Sequence, residues 1–423
     1  MSPPRSPYRI LVLGGSYAGL AAAVNLTDLC EGKNSRTGIE SSRPGSSMSV
    51  EITIVDERDG FFHLIGAPLA LAEEQYAKRA WKKYAEIPGL QQPSLRFIHG
   101  SVSRLDCKIK KATIVPHGSD TSVAQSYDYL IAATGLRRVW PTVPQELTRD
   151  RYLVEAVGHI NQVRNADKGV VVIGGGAVGV EMAAEIKMVE PHVRVSLIHS
   201  RNTLLSSEPL PDKFGHKTLA LLEEVGVEVM LGQRVVDISP SPQDQSTKVL
   251  RLSNGIELLA SHVINAVSRP VSTSTYIPSE ALDADGYVKV LPSMQFPEIT
   301  PNAAYHFAVG DIVAWSGIKR AGGAFYMGGI AASNIHRHIL HSQAMIEQPK
   351  YIEALVYPPS IAVAVGRKAV GYSEREGVTA SEALMEVMFG DDLGLSICWR
   401  YLGLGVPWKP LSRRLGMGHI ELV

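Results

Sequence analysis

Apolar residues along the chain fall into short runs rich in β-branched side chains and longer Ala- and Leu-rich stretches. At two places the change from one to the other happens across a glycine-rich turn. Tyr8 to Leu13 is such a run, followed by Gly14-Gly15-Ser16-Tyr17-Ala18-Gly19 and by Ala18 to Leu29, which has helical character. Gly32 to Ser49 is rich in Ser, Gly and Arg without an apolar period and reads as a mobile surface insertion, after which Val50 to Val55 resumes as a strand ending in Asp56. The same design returns at Gly169. There the run Val170 to Ile173 leads into Gly174-Gly175-Gly176-Ala177-Val178-Gly179, a helix from Val178 to Met188 and a strand from Val193 to Ile198.

Between the two units, Arg96 to Leu105, Lys111 to Val115 and Tyr127 to Ala132 read as strands, the last entering Thr134-Gly135. After the second unit, Val225 to Leu231, Lys248 to Leu252 and His262 to Ala266 are strand candidates, and Tyr305 to Val309 enters Gly310-Asp311. A short strand at Ile361 to Val365 and a Trp-, Tyr- and Leu-rich end complete the chain. The expected fold is α/β: two Rossmann-like dinucleotide-binding domains, the second inserted in the first, and a small C-terminal α+β region. The boundaries are 1–148 and 269–348 for the first domain, 149–268 for the second and 349–423 for the C-terminal region.

Composition narrows the function. Lys plus Arg equals Asp plus Glu at 42 each, so no overall positive field exists to hold nucleic acid, which is excluded as a partner. The three cysteines, Cys30, Cys107 and Cys398, form neither a C-x-x-C pair nor a zinc-ligand spacing. Each is expected to be a small buried hydrophobe, and no metal is expected. Arg5 and Arg9 ahead of an apolar stretch imitate a secretory leader, but the glycines explain that segment as strand, turn and helix. With no run of about 18 apolar residues elsewhere, the expected location is cytoplasmic.

The turns carry the chemistry. In the dinucleotide fingerprint the first glycine makes the tight turn, the second lets backbone approach the pyrophosphate, and the third lets helix and strand pack closely. Gly14, Ser16 and Gly19 fill these places in the first unit, with Asp56 placed to accept hydrogen bonds from a ribose; its extra distance is explained by the Gly32 to Ser49 insertion. Gly174, Gly176 and Gly179 fill them in the second. Glu181, just inside that helix, is either a surface carboxylate or a coenzyme neighbour. The strand after it runs into His199-Ser200-Arg201 with no carboxylate, so a 2′-phosphate is tolerated and NADPH is expected to serve at least as well as NADH. Two fingerprints imply two dinucleotides and hydride transfer between them.

At this point the chain resembles the apoptosis-inducing-factor-like flavoproteins of the pyridine nucleotide-disulfide reductase superfamily, and within them the ferroptosis-suppressor-type NAD(P)H:quinone oxidoreductases. The resemblance rests on Val12-Leu13-Gly14-Gly15, Asp56 to His63, Ala132-Ala133-Thr134-Gly135, Ile173 to Ile186, Leu197 to Ser200 and Ala308 to Asp311. It implies FAD held by Gly14, Gly15, Ser16, Ala18, Gly19, Asp56, Glu57 and Arg58, with Val102 meeting the adenine. Ala133, Thr134, Gly135, Gly310 and Asp311 would stand beside the ribitol and ring, and Tyr326-Met327 would start a helix facing the pyrimidine end. NADPH or NADH would be seated by Gly174, Gly176, Val178, Gly179, Glu181, His199, Arg201 and Ser268. His63 and Tyr326 are the candidate catalytic side chains, although a lone histidine beside Phe61 and Phe62 is more often a packed core residue.

Two stretches depart from the subgroup. Ala266-Val267-Ser268-Arg269-Pro270 lacks a glycine, and Arg320 to Ala324 stands, with extra residues, where the subgroup has a lysine near the flavin. The expected activity is NAD(P)H-dependent, FAD-mediated reduction of a quinone-like or other small organic acceptor. The alternatives are an FAD-dependent oxidase or tailoring enzyme that needs no NAD(P)H, and a redox-sensing signalling flavoprotein. The aromatic, basic tail from Ile397 to Val423 is read either as packing on the flavin domain or as a peripheral membrane contact.

Overall fold

The computed structural model describes residues 6–36, 38, 47–267, 271–315 and 317–405. Its larger sheet has seven strands in the order His306–Ala308, Tyr129–Ala132, Tyr8–Leu13, Val50–Asp56, Leu95–Asp106, Lys111–Pro116 and Val123–Ser126. The first five run parallel and the last two antiparallel. Strands buried on both faces need no polar alternation, which is why ILVL and YLIA read as continuous apolar runs. The second sheet is parallel throughout, in the order Glu228–Met230, Val195–Ile198, Val170–Ile173 and His262–Asn265. Its strands lie in sequence between those of the first sheet.

Both strand–turn–helix units are present, with helices Tyr17–Cys30 and Ala177–Val189. The first helix is buried almost all round, because the long helix Ala321–Ser342 crosses it at close range. A Cβ on Gly328 would lie 2.6 Å from the Ala18 carbonyl oxygen and 3.0 Å from the Ala21 Cβ. Small residues on both helices therefore set how near they come. The chain leaves the first sheet at Gly135 and returns at Val271, and the two crossings pair antiparallel, Arg137 with Val271 and Leu136 with Ser272.

Three expectations change. Val225 is the last residue of a helix, Asp212–Val225, which stops at Gly226 in a left-handed conformation (φ 92°), leaving a strand of only Glu228–Met230. The β-branched pair around Gly226 imitated a longer strand. The described part of the Gly32 to Ser49 insertion is anchored: Ser35 is buried, Arg36 pairs with Asp28 at 2.6 Å and donates to the Leu402 carbonyl. Residues 37 and 39–46 lie outside the described residues. The strand expected from Val193 begins at Val195, because the Val193 N–H turns back to the Glu190 carbonyl.

The C-terminal region is α+β. Strands Ile361–Val365, Lys368–Ser373 and Gly377–Ser381 form an antiparallel sheet packed on helices Ala177–Val189 and Asp212–Val225, with Lys368 paired to Glu224 at 2.6 Å. Helix Leu395–Leu402 returns to the first sheet's side, where Tyr76 donates to the Asp392 carbonyl (2.7 Å) and the Gly89 N–H to the Leu404 carbonyl (3.1 Å). All three cysteines are buried and free. Among the described residues no helix is long and apolar enough to cross a membrane, and no cluster of three metal-ligating side chains occurs.

Candidate functional site

Gly14 has φ +102°, and a Cβ there would sit 2.4 Å from the Ala133 carbonyl oxygen. On Gly19 it would sit 1.8 Å from the Gly14 carbonyl oxygen. Backbone itself fills those spaces, so glycine is required at both. Tyr84 closes the turn from the side by donating to the Gly15 carbonyl at 2.8 Å. The Gly15 N–H donates to Asp56 Oδ2 at 2.6 Å, and the Arg58 N–H to Asp56 Oδ1 at 2.8 Å. Burial raises the Asp56 pKa, opposed by the Arg58 guanidinium and these two N–H groups. Ala18 is pressed against Gly310, whose own Cβ would fall 2.8 Å from that of Ala18.

Glu57 is held by both Arg137 nitrogens at 2.8 and 2.7 Å, and Arg58 reaches the Pro144 carbonyl at 3.5 Å. Val102 stands where the pairing with Lys111–Pro116 slips, between Val102 and Arg104. Thr134 hydrogen-bonds Tyr276 at 3.0 Å and accepts from Thr273 at 2.8 Å, while Gly135 (φ +72°) faces open space.

Asp311 lies in the short turn Gly310–Ile312 that follows the edge strand His306–Ala308. Burial raises its pKa against the charges of Arg138, 3.9 Å away, and Lys319. The long helix starts at Ala321, so Tyr326 and Met327 sit more than a turn inside it rather than at its start. The stretch Arg320 to Ala324, read as carrying extra residues, supplies the N-cap and first turn of that helix. Lys319, immediately before, lines a cleft with Asp311 and Tyr326. The sequence reading missed it; its position next to Arg320 was the available signal.

The second turn repeats the first. Gly174 has φ +114°, and a Cβ on Gly179 would sit 1.9 Å from the Gly174 carbonyl oxygen. Gly176 has nothing within 4 Å of that position. The Gly175 N–H donates to His199 Nδ1 at 3.1 Å, which leaves the ring hydrogen on Nε2. Burial lowers the His199 pKa, so the ring is neutral. Arg201 is exposed and donates to the Ser206 carbonyl at 2.8 Å. Val178 is half-buried, and Glu181 accepts from the Ala364 N–H at 3.1 Å. Burial raises the Glu181 carboxyl to about 8, with Glu185 adding to the rise against that N–H.

The helices beginning at Tyr17, Ala177 and Ala321 have neither a capping side chain nor an acidic residue in the first turn. Such ends favour anions, and the glycine cradles admit backbone-close phosphates, so the residues present fit FAD and a nicotinamide dinucleotide. His63 is fully buried with both ring nitrogens engaged, Nδ1 with the Tyr17 hydroxyl (3.1 Å) and Nε2 with the Leu393 carbonyl (3.0 Å). Burial lowers its pKa to about 4. The geometry thus matches the packed-core alternative. Ser268 and residues 406–423, with most of the basic tail, lie outside the described residues.

The model of the pyridine nucleotide-disulphide oxidoreductase family matches residues 8–328. Oxidoreductase OXR1 of Ajellomyces capsulatus is 50% identical, over 94% of this chain and 88% of its own length. Ferroptosis suppressor protein 1 of Taeniopygia guttata is 26% identical, over 94% of this chain and 97% of its own. Among solved structures, NDH2 from Plasmodium falciparum in complex with NADH superposes with a TM-score of 0.64, covering 91% of this chain and 94% of that one at 14% identity, a likeness of fold. The chain belongs to the pyridine nucleotide-disulphide oxidoreductase family and is an oxidoreductase that uses FAD and NAD(P)H.

Proposed function

We propose that the protein passes a hydride from NADPH or NADH, through FAD, to a small organic acceptor of quinone-like chemistry. The observation that carries this reading is the doubled glycine turn, one on each sheet, with an uncapped helix end at each and a third at Ala321, beside the cleft that Asp311 lines. Segments 1–148 and 269–348 form the FAD domain, 149–268 the NAD(P) domain and 349–423 the C-terminal domain. The resemblance to ferroptosis suppressor proteins over nearly the whole chain supports the acceptor class.

Bound FAD supplies the two-electron chemistry. Gly14, Ser16 and Gly19 would hold its pyrophosphate, Asp56 its adenosine ribose and Asp311 its ribitol, and the Ala321 helix end would favour negative charge that the reduced cofactor gains. Gly174, Gly176 and Gly179 seat the coenzyme, with Glu181 beside it. Positioning does most of the work, since hydride transfer over a fixed contact needs no general base. Steady-state NADPH consumption driven by a benzoquinone is the expected result. Oxidation of an organic substrate with no coenzyme required would replace this reading with the oxidase alternative, and a long-lived reduced state without turnover would favour the redox-sensing one.

A further inference from the structure

The chain passes between the two sheets twice, and both passages meet at one place. It leaves the first sheet through Thr134-Gly135 and comes back through Val271–Ser272 to Thr273. The ribbon formed there is small, with Leu136–Arg137 paired to Val271–Ser272, two residues on each strand. Two paired strands of that length are marginal by themselves. Val271 is 61% exposed, so apolar packing adds little on that side. Gly135, the pivot of the outgoing strand, takes φ +72°, and a Cβ built on it would have no atom within 4 Å. Neither a side chain nor close packing restrains it.

Hydroxyl groups do so instead. Thr273 donates to Thr134 Oγ1 and to the Gly135 carbonyl, each at 2.8 Å, so one hydrogen is shared between both residues of the exit. The Thr273 N–H adds a longer bond to the same carbonyl (3.3 Å). Thr134 is also hydrogen-bonded to Tyr276 at 3.0 Å. Tyr276 is the anchor: its ring is buried in the core of the first sheet, and its carbonyl accepts from the Leu105 N–H at 2.9 Å. A Cβ on Gly14 would lie 3.0 Å from the Thr134 Cα, so Thr134 is pressed against the first glycine turn. The clasp therefore runs from the core, past that turn, to both crossings. Helix Ala67–Ala70 also touches helix Ala177–Val189. Apolar contact of that kind has no preferred direction, whereas a hydrogen bond weakens steeply off its axis.

We propose that Thr273 is a positioning residue for hydride transfer: its hydroxyl joins the two crossings and fixes the angle at which the second turn presents the coenzyme to the flavin. The proposal rests on the hydride-transfer reading above and adds what holds the two dinucleotide sites at reacting distance. Thr273 acts through Gly135 and the crossings and takes no part in the chemistry. The reacting atoms must meet in a narrow geometry, and a displacement of about 1 Å can cost on the order of 100-fold in rate.

Thr273→Val keeps the shape of the side chain and removes the hydroxyl, while the Gly135 carbonyl retains the residue 273 N–H and Thr134 retains Tyr276. When the FAD-loaded variant is mixed with NADPH without oxygen, the limiting rate of flavin reduction should fall about tenfold. The NADPH concentration giving half that rate, and the FAD content, should match wild type. Thr273→Ser should restore the rate. A second readout needs no coenzyme: hydrogen exchange over residues 135–137 and 271–273 should quicken roughly two- to tenfold in Thr273→Val and not in Thr273→Ser. A wild-type limiting rate in Thr273→Val, or a Thr273→Ser protein as slow as Thr273→Val, overturns the assignment. Slow reduction accompanied by loss of FAD also overturns it, because that marks a purely structural role. Wild-type protein that neither coenzyme reduces overturns the hydride-transfer reading beneath. The exchange rates judge the clasp in either case, and unchanged exchange in Thr273→Val overturns it.

Discussion

The two glycine turns share a backbone and differ in what faces it. Gly14 and Gly174 both take positive φ, and Gly19 and Gly179 both leave a hydrogen where a methyl would meet the first glycine's carbonyl oxygen. In both, the second glycine's N–H is fastened to the residue closing the next strand. That residue is a carboxylate, Asp56, in one turn and a neutral imidazole, His199, in the other. A carboxylate accepts ribose hydroxyls and repels a 2′-phosphate; an imidazole followed by Arg201 does not. Ala21 in the first helix corresponds to Glu181 in the second. Scaffold positions repeat because backbone packing dictates them, and the positions proposed to face a ligand diverge because backbone packing leaves them free.

The largest effects should come from breaking one turn at a time. Gly19→Ala forces backbone apart next to FAD and should cost about 1–3 kcal/mol or more, giving colourless, poorly folded protein. Gly179→Ala meets the same clash in the other sheet and should remain yellow yet resist reduction by NADPH. Flavin absorbance and release on denaturation check both, and equal loss of colour from the two variants would erase the distinction between the turns.

Asp311→Ala comes next. If Asp311 holds the ribitol as proposed, the change leaves buried donors unpaired, at about 1–3 kcal/mol, or roughly five- to 150-fold in FAD affinity, measured by equilibrium dialysis against free FAD. Unchanged retention would remove that assignment.

Arg201→Ala should weaken NADPH by about tenfold and spare NADH. The lower end of the charge-assisted range applies, because Arg201 must leave the Ser206 carbonyl to reach a phosphate. Rates of flavin reduction by each coenzyme decide it; an NADH preference untouched by the substitution would contradict the comparison of Asp56 with His199.

A further effect is in pH. The Glu181 carboxyl rises from 4.5 to about 8 on folding, so between those values the folded chain binds more protons than the unfolded one. Its contribution is fully present below 4.5 and is lost as pH rises through 8. The thermal midpoint should therefore slope downward across that window. In Glu181→Gln the slope should flatten, and an identical slope in the variant would place the titration elsewhere.

What was legible in the sequence was what backbone geometry dictates. Gly14, Gly19, Gly174 and Gly179 could be placed because no other residue fits, and the buried parallel strands because their runs lack polar alternation. Lys319 and Arg138 were not legible, since their approach to Asp311 depends on how residues 317–320 and the first crossing fold. The start of the long helix was hidden by Gly322 and Gly323, whose low helix propensity is overridden by the packing of that helix on Tyr17–Cys30. The tie between Glu181 and Ala364 joins residues 183 apart, beyond the reach of any local pattern.

The central claim is that the two turns hold two dinucleotides that exchange a hydride. Its most direct test is to mix the purified yellow protein with NADPH in the absence of oxygen and follow the visible flavin band. The account predicts prompt bleaching, reversed by adding a benzoquinone. A band unchanged by NADPH and by NADH would contradict it.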